Sequence, residues 1–150
     1  MNFGWSSPKQ AVLDSIRQWG FSFNADKQRW EKGTLNGFRC SKLKVWFSEQ
    51  ERFAGAEAKY LDLDSVSSAS IRDKFVGQLT ALHGEPESVR ISTGSISLDR
   101  IAWTFSSPDE VMQDMIVLTH FPDYVIVHAA RNMPAPFDLA PLEVRPSVED

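Results

Sequence analysis

The sequence predicts an α+β protein in which two helices cover one side of a mostly antiparallel sheet. Two segments have apolar residues at helical spacing, and each ends at a glycine. The other segments alternate between apolar and polar residues, as strands do. The predicted order is an N-terminal helix, three antiparallel strands, an amphipathic helix, and then three or four antiparallel strands, which gives a two-layer helix-on-sheet fold.

The first helix is predicted over residues 8–19. Ser7 is the candidate N-cap, Pro8 suits the first helical position, and Gln10 completes a capping box with Ser7. Gly20 supplies a left-handed stop. The predicted apolar face consists of Val12, Ile16 and Trp19.

Three strands are predicted next, over residues 27–32, 38–48 and 55–64, with a glycine-rich turn at 33–37 between the first two. Alternation is clearest in the middle strand, so we expect one of its faces to be buried. Its apolar face consists of Leu43, Val45 and Phe47, and its other face of Lys42, Lys44 and Trp46.

The second helix has the clearest pattern in the chain. Its candidate N-caps are Ser65, Ser67 and Ser68. Gly84 and Pro86 end it, with glycine at the stop and proline two residues later. The predicted buried stripe consists of Ile71, Phe75, Leu79 and Leu82.

The chain then returns to strands, predicted over residues 88–92, 98–105, 115–121 and 124–130. In the second of these, Ile101, Trp103 and Phe105 are expected to point inward, and Arg100, Ala102 and Thr104 outward. The last hairpin is apolar on both faces. The second helix covers one face, so the other needs the first helix, the C-terminal segment or another protein.

Pro122 and Asp123 are predicted to form the tight turn of the last hairpin. That turn places His120 opposite Val125 and His128 opposite Val117. The two histidines then point to opposite faces of the sheet and cannot bind one metal ion.

We expect one domain over residues 1–131 and a proline-rich C-terminal tail over residues 132–150. The tail has prolines at 134, 136, 141 and 146, which are unfavourable in a helix or a central strand. Its apolar residues could hold it on the surface in extended form, and a loose tail from Val144 onward remains an alternative. Those apolar residues are Phe137, Leu139 and Leu142.

Composition excludes several classes of protein. The chain has 150 residues, 16 basic and 20 acidic, and its net charge of −4 argues against nucleic-acid binding. No window is apolar enough to span a membrane, and the first residues do not resemble a signal peptide, so we expect a cytoplasmic protein. Cys40 is the single cysteine, which leaves no disulfide and no cysteine zinc site. No cofactor or metal is predicted.

Candidate partner-binding residues come from one aromatic side chain and two acidic groups. The tryptophan lies on the face of its strand opposite the apolar residues, and tryptophan is enriched in binding hot spots. The first acidic pair lies at a strand–helix junction, where helix capping is an alternative role. The second acidic group belongs to a polar loop. The residues are Trp46, Asp62, Asp64, Asp109, Glu110 and Asp114.

The run from Leu79 to Pro86, the strand bearing Trp103 and the hairpin ending at His128 resemble a layout found in immunity proteins, which neutralise secreted toxins of neighbouring bacteria. The resemblance covers residues 66–130. It implies a compact, acidic, cytosolic protein that acts by binding a protein partner, such as a basic toxin domain, and it assigns no catalytic residue.

The leading hypothesis is therefore a non-enzymatic binding protein of the immunity type, monomeric or homodimeric. A first alternative is a small hydrolase or ligand-binding enzyme that uses His120 or His128 as a base in a cleft between sheet and helix. A second alternative is a secretion chaperone for an effector protein, since such chaperones share much of this element order. The chaperones form homodimers but end in a helix, which this sequence does not predict.

Overall fold

The computed structural model describes residues 7–93, 96–106 and 112–134. They form two helices and one eight-stranded antiparallel sheet, which confirms the predicted α+β class. The elements are α1 (Lys9–Gln18), β1 (Ser22–Asn24), β2 (Arg29–Leu35), β3 (Phe38–Phe47), β4 (Phe53–Tyr60), α2 (Ser65–His83), β5 (Glu87–Thr93), β6 (Ile96–Ser106), β7 (Met112–His120) and β8 (Val125–Pro134).

The sheet has the strand order β1-β2-β3-β4-β8-β7-β6-β5. Each half therefore follows the same plan, one helix and then a meander of four strands. The two fourth strands, β4 and β8, pair antiparallel at the centre of the sheet, with Ala58 opposite Val127. The sequence shows no matching internal repeat, so this arrangement is visible only in the fold.

The start of α1 differs from the prediction. Its N-cap is Pro8, which has extended backbone angles and makes no side-chain cap hydrogen bond. The predicted N-cap Ser7 is therefore one residue too early, and the Gln10 side-chain amide donates to Asp14 at 2.8 Å. The N–H of Lys9 instead donates to the carbonyl of Glu51. The stop at Gly20 is confirmed by its φ of +87°.

The β2–β3 hairpin corrects the predicted turn. Residues 33–35 belong to β2, and the turn itself is Asn36-Gly37, with φ values of +58° and +82°. An Asn-Gly pair with positive φ at both positions is the favoured two-residue hairpin turn. The short strand β1, which pairs with β2, is an additional element that the sequence did not predict.

The strand β4 ends earlier than predicted, at Tyr60 rather than residue 64, so residues 61–64 form the junction to α2. Asp62 adopts a φ of +56°, and Asp64, rather than one of the three serines, is the N-cap of α2. The predicted stop at Gly84 is confirmed. The prediction that Leu82 is a core residue is wrong, since this residue is 74% exposed.

Both helices pack on the same face of the sheet, which we call the helix face. Val12 of α1 and Ile71 of α2 belong to one buried cluster with sheet residues of β3, β4 and β8. That cluster includes Leu43, Tyr60 and Val125, all fully buried. The two-layer helix-on-sheet arrangement follows from this one-sided packing.

The opposite side of the sheet, which we call the open face, has neither described helix on it. Arg100 and Ala102, predicted to point outward to solvent, lie on this side and are each 3% exposed. Ala102 packs with Met115 and Val117 in a second buried cluster. The first helix was one of the predicted covers for this second face. Since α1 lies on the helix face, it cannot cover the open face.

The last hairpin has the predicted register. His120 pairs with Val125, and His128 pairs with Val117. The two histidines therefore point to opposite faces, as expected. The strand β8 continues to Pro134, so residues 132–134 are strand rather than part of the predicted tail. The rest of that tail lies outside the described residues.

Neither described helix is long and apolar enough to cross a membrane.

Candidate binding surface on the open face

Trp46 lies near the end of β3 on the open face and is 36% exposed. Its strand partner is Gly55, the third residue of β4. A Cβ atom at Gly55 would lie 2.3 Å from the indole ring, so the ring rests directly on the glycine backbone. Glycine is therefore required for this close approach, and it holds the indole against the sheet.

The His128 ring also lies beside the indole of Trp46. The two ring centroids are 5.4 Å apart with an interplanar angle of 43°. His128 stands opposite Glu57 in the β4–β8 ladder, and its Nδ1 lies 3.2 Å from Glu57 Oε2. An ionised carboxylate only accepts hydrogen bonds, so the ring N–H donates to Glu57.

The same carboxylate also binds a lysine. Lys59 Nζ lies 3.6 Å from Glu57 Oε1, and Lys59 is only 3% exposed. The hydrogen bond from His128, followed by the positive charge of Lys59, holds the pKa of Glu57 below its usual value. We call Trp46, Gly55, Glu57, Lys59 and His128 the Trp46 patch. It combines one aromatic ring with an ordered network of both charge signs.

The structure does not bring Trp46 together with Asp62 and Asp64. Trp46 lies beside Gly55 near the start of β4, whereas the aspartates follow its last residue, Tyr60. The strand between Gly55 and Tyr60 is about 17 Å long. Asp64 accepts a hydrogen bond from the N–H of Ser67 at 2.7 Å, and this bond lowers its pKa. Asp64 therefore caps α2, the alternative role considered for it.

The second acidic group is placed only in part. Asp109 and Glu110 lie outside the described residues. Asp114 belongs to β7, where its backbone pairs with Phe105 of β6. The predicted loop interpretation is thus wrong for the Asp114 backbone.

Ser68, His120 and Asp99 form a chain of polar contacts between α2 and the sheet. Ser68 Oγ lies 3.3 Å from His120 Nε2, and His120 Nδ1 lies 3.5 Å from Asp99 Oδ2. The order of groups matches a serine–histidine–aspartate triad. However, Ser68 is 0% exposed, and its hydroxyl donates to the carbonyl of Pro122 at 2.9 Å. A substrate cannot reach this oxygen, so the contacts tie α2 to the last hairpin.

Cys40 is buried and is not a candidate nucleophile. Burial raises the pKa of the Cys40 thiol to about 12, so the reactive thiolate is not formed near neutral pH. Among residues 7–93, 96–106 and 112–134, no group of three histidine, cysteine, aspartate or glutamate side chains is placed to hold a metal ion.

The sequence identified Trp46 as a binding residue and His128 only as a candidate base, and it gave no sign of Gly55, Glu57 and Lys59. Two strand registers bring these residues together, and neither can be read from the sequence. The β3–β4 register places Gly55 opposite Trp46, and the β4–β8 register places Glu57 opposite His128. The second pairing joins residues 71 positions apart. Comparison with protein-family models, curated proteins and solved structures finds no match to this chain, so its own residues carry the functional argument.

Proposed function

We propose that this chain is a non-enzymatic protein-binding module, an immunity-type protein that neutralises a secreted toxin by binding and covering its active site. The observation that carries the proposal is the exposed, pre-ordered indole of Trp46. It rests on Gly55 and stands beside His128 on an otherwise strand-built surface.

A tryptophan held in this way suits the centre of a protein interface. Burying a large aromatic ring releases much apolar surface, and a ring that is already ordered loses little conformational freedom on binding. Glu57 and His128 are 25% and 36% exposed at their side chains, so they can offer hydrogen bonds around the ring. Such a polar rim around an aromatic anchor is the usual anatomy of an interface.

The acidic residues contribute to the proposal in another way. With a net charge of −4, the chain attracts a basic toxin domain over a distance and so speeds encounter. Asp62, Asp64, Asp109, Glu110 and Asp114 are the proposed sources of this attraction. We assign direct contact to Trp46, because the structure places Asp62 and Asp64 at the far end of β4.

The test is titration of the purified chain against the purified product of the neighbouring gene, the candidate toxin, by calorimetry. We expect Trp46→Ala to weaken binding about 30-fold or more, which corresponds to a hot spot of about 2 kcal/mol. Leu82→Ala is the matched control, because Leu82 is an exposed apolar residue on α2, away from the patch. Unchanged affinity of a folded Trp46→Ala variant would contradict the proposal.

The long-range attraction of the acidic residues is tested separately, with a double variant that carries Asp62→Asn and Asp64→Asn. Asparagine removes the charge but remains a good N-cap, so α2 keeps its first turn. We expect slower association at low salt and an unchanged dissociation rate. A variant that dissociates faster would instead place these residues in the contact surface.

A further inference from the structure

A cleft of about 610 Å³ lies between α1 and the first three strands, on the helix face of the sheet. Its volume is within the range of small-molecule sites. Six apolar residues line it, namely Leu13, Phe21, Phe23, Trp30, Val45 and Phe47. It is separate from the Trp46 patch, since Val45 and Phe47 point to the opposite side of β3 from Trp46.

The cleft is open because α1 does not cover the outermost strand. β1 is only three residues long, and Phe23 at its centre is 49% exposed although it packs on Trp30 at 5.0 Å. Trp30 forms the floor and is 7% exposed. The exposed phenyl ring therefore forms one wall of an apolar cavity rather than an isolated surface residue.

Two cations stand at opposite ends of this cleft. Lys9 and Arg17 lie eight residues apart on α1, a distance of about 12 Å along the axis, with Leu13 midway. The Lys9 ammonium lies 5.5 Å from the Phe47 ring centroid, and the Arg17 guanidinium lies 5.6 Å from that of Trp30. Both cations are thus held over the aromatic lining.

The carboxylates paired with these cations hold them only weakly. Lys9 lies 3.9 Å from Glu51, and Arg17 lies 3.4 Å from Asp14, with all four side chains at least 45% exposed. Ion pairs of this kind contribute little and are open to exchange. Among the described residues that line the cleft, none carries a carboxylate.

We propose that the cleft binds an elongated apolar monocarboxylate, such as the anion of a medium-chain fatty acid. The apolar body lies along Leu13 between α1 and the sheet. The carboxylate binds Arg17, whose planar guanidinium can hold it through two parallel hydrogen bonds, which the single ammonium of Lys9 cannot do. Lys9 adds positive charge at the other end.

The experiment is calorimetric titration of the full chain with decanoate below its micelle concentration, and with decanol as the uncharged match. We expect one saturable decanoate site and about fivefold weaker binding of decanol, the difference that one exposed ion pair supplies. Sebacate, which carries a carboxylate at each end, tests whether Lys9 acts as a second anion site. Tighter binding of sebacate than of decanoate would overturn the single-headed assignment.

Variants then locate the site. Arg17→Gln is expected to weaken decanoate about fivefold and to leave decanol unchanged, whereas Arg72→Gln on α2 serves as the arginine control. Phe23→Ser should weaken both ligands, because it removes the half-exposed ring that forms one wall of the cleft. Movement of the Trp30 indole N–H signal in NMR spectra on titration reports occupancy of the cleft directly.

Besides tighter binding of sebacate, three results would overturn the proposal: no saturable binding of decanoate, equal binding of decanol, or decanoate binding that Arg17→Gln and Phe23→Ser both leave intact. None of these results bears on toxin binding through Trp46, which lies on the other face of the sheet.

Discussion

At the scale of single residues, Gly55 and Trp46 form a unit. The Cβ atom introduced by Gly55→Ala would lie 2.3 Å from the indole, so the ring would have to move away from the β4 backbone. We expect Gly55→Ala to lower the free energy of unfolding by about 1–3 kcal/mol, as overpacking does. Denaturant unfolding measures this, and in a Trp46→Ala background the same substitution should cost much less. Equal costs in both backgrounds would show that the strain lies in the β4 backbone.

Asp64 is a second residue whose role the fold decides. Its carboxylate accepts the N–H of Ser67, and this hydrogen bond to the charged form lowers its pKa. We expect Asp64→Ala to reduce stability and Asp64→Asn to retain most of it, because asparagine caps a helix and alanine does not. Thermal unfolding of both variants checks this, and equal losses would mean that charge rather than capping matters.

His120 makes stability depend on pH. Burial, followed by the positive charge of Arg72, lowers its pKa below the ordinary 6.5. The unfolded chain therefore binds a proton at a higher pH than the folded chain does. The free energy of unfolding should then fall as the pH drops below about 6.5, until the lower pKa of the folded state is passed.

The measurement is denaturant unfolding between about pH 7 and about pH 5, the range in which histidine titrates. His120→Gln is expected to flatten this decline. Glu57 has a lowered pKa and adds a loss of stability only below its ordinary value of 4.5. A decline that His120→Gln does not alter would assign the titration to another group.

At the scale of elements, local patterns predicted most of the structure. The stop glycines Gly20 and Gly84 end both helices as expected, and the two-residue turn of the last hairpin set its register correctly. The errors have physical causes. Several residues near the start of α2 are chemically able to cap it, and backbone geometry selected Asp64. The glycine pair at 33 and 37 concealed the Asn36-Gly37 turn.

The predicted apolar stripe of α2 shows that helical periodicity alone does not predict which residues are buried. Phe75 is 7% exposed and packs edge-on against Tyr60, whereas Leu82, on the same predicted stripe, is 74% exposed. We expect Phe75→Ala to cost about 3–5 kcal/mol. Leu82→Ala should change stability by no more than about 0.5 kcal/mol. Denaturant unfolding compares the two, and a large loss for Leu82→Ala would mean that the last turn of α2 is covered.

At the scale of the whole molecule, the candidate sites arise from contacts distant in sequence. The central pairing of β4 with β8 joins the two helix-and-meander halves and places Glu57 beside His128. Hydrophobic alternation fixes which side of a strand is buried, but it does not select a partner strand some 70 residues away. The sequence therefore shows which residue types are present, but it does not predict that the residues of the Trp46 patch lie side by side.

Part of the open face is buried although neither described helix covers it. Ala102, Val117 and Ile126 lie on it and are between 3% and 5% exposed, yet both described helices pack on the other side. The chain continues beyond Pro134, the end of a central strand, for residues 135–150. An extended segment of that length reaches about 50 Å, far enough to cross several strands spaced about 5 Å apart.

The sequence alone predicts this cover from residues 135–150, which lie outside the described residues, through the apolar side chains Phe137, Leu139 and Leu142. Deleting this segment should lower the free energy of unfolding by about 2 kcal/mol or more, since each large apolar side chain contributes about 1.5–3 kcal/mol when fully buried. It should also increase binding of a hydrophobic dye. Replacing the three residues by serine in the 150-residue chain is the matched test, because it keeps the segment and removes its apolar side chains. If both variants keep full stability, the segment is not the cover. If light scattering shows that the unaltered chain is a dimer, a second copy becomes the better candidate.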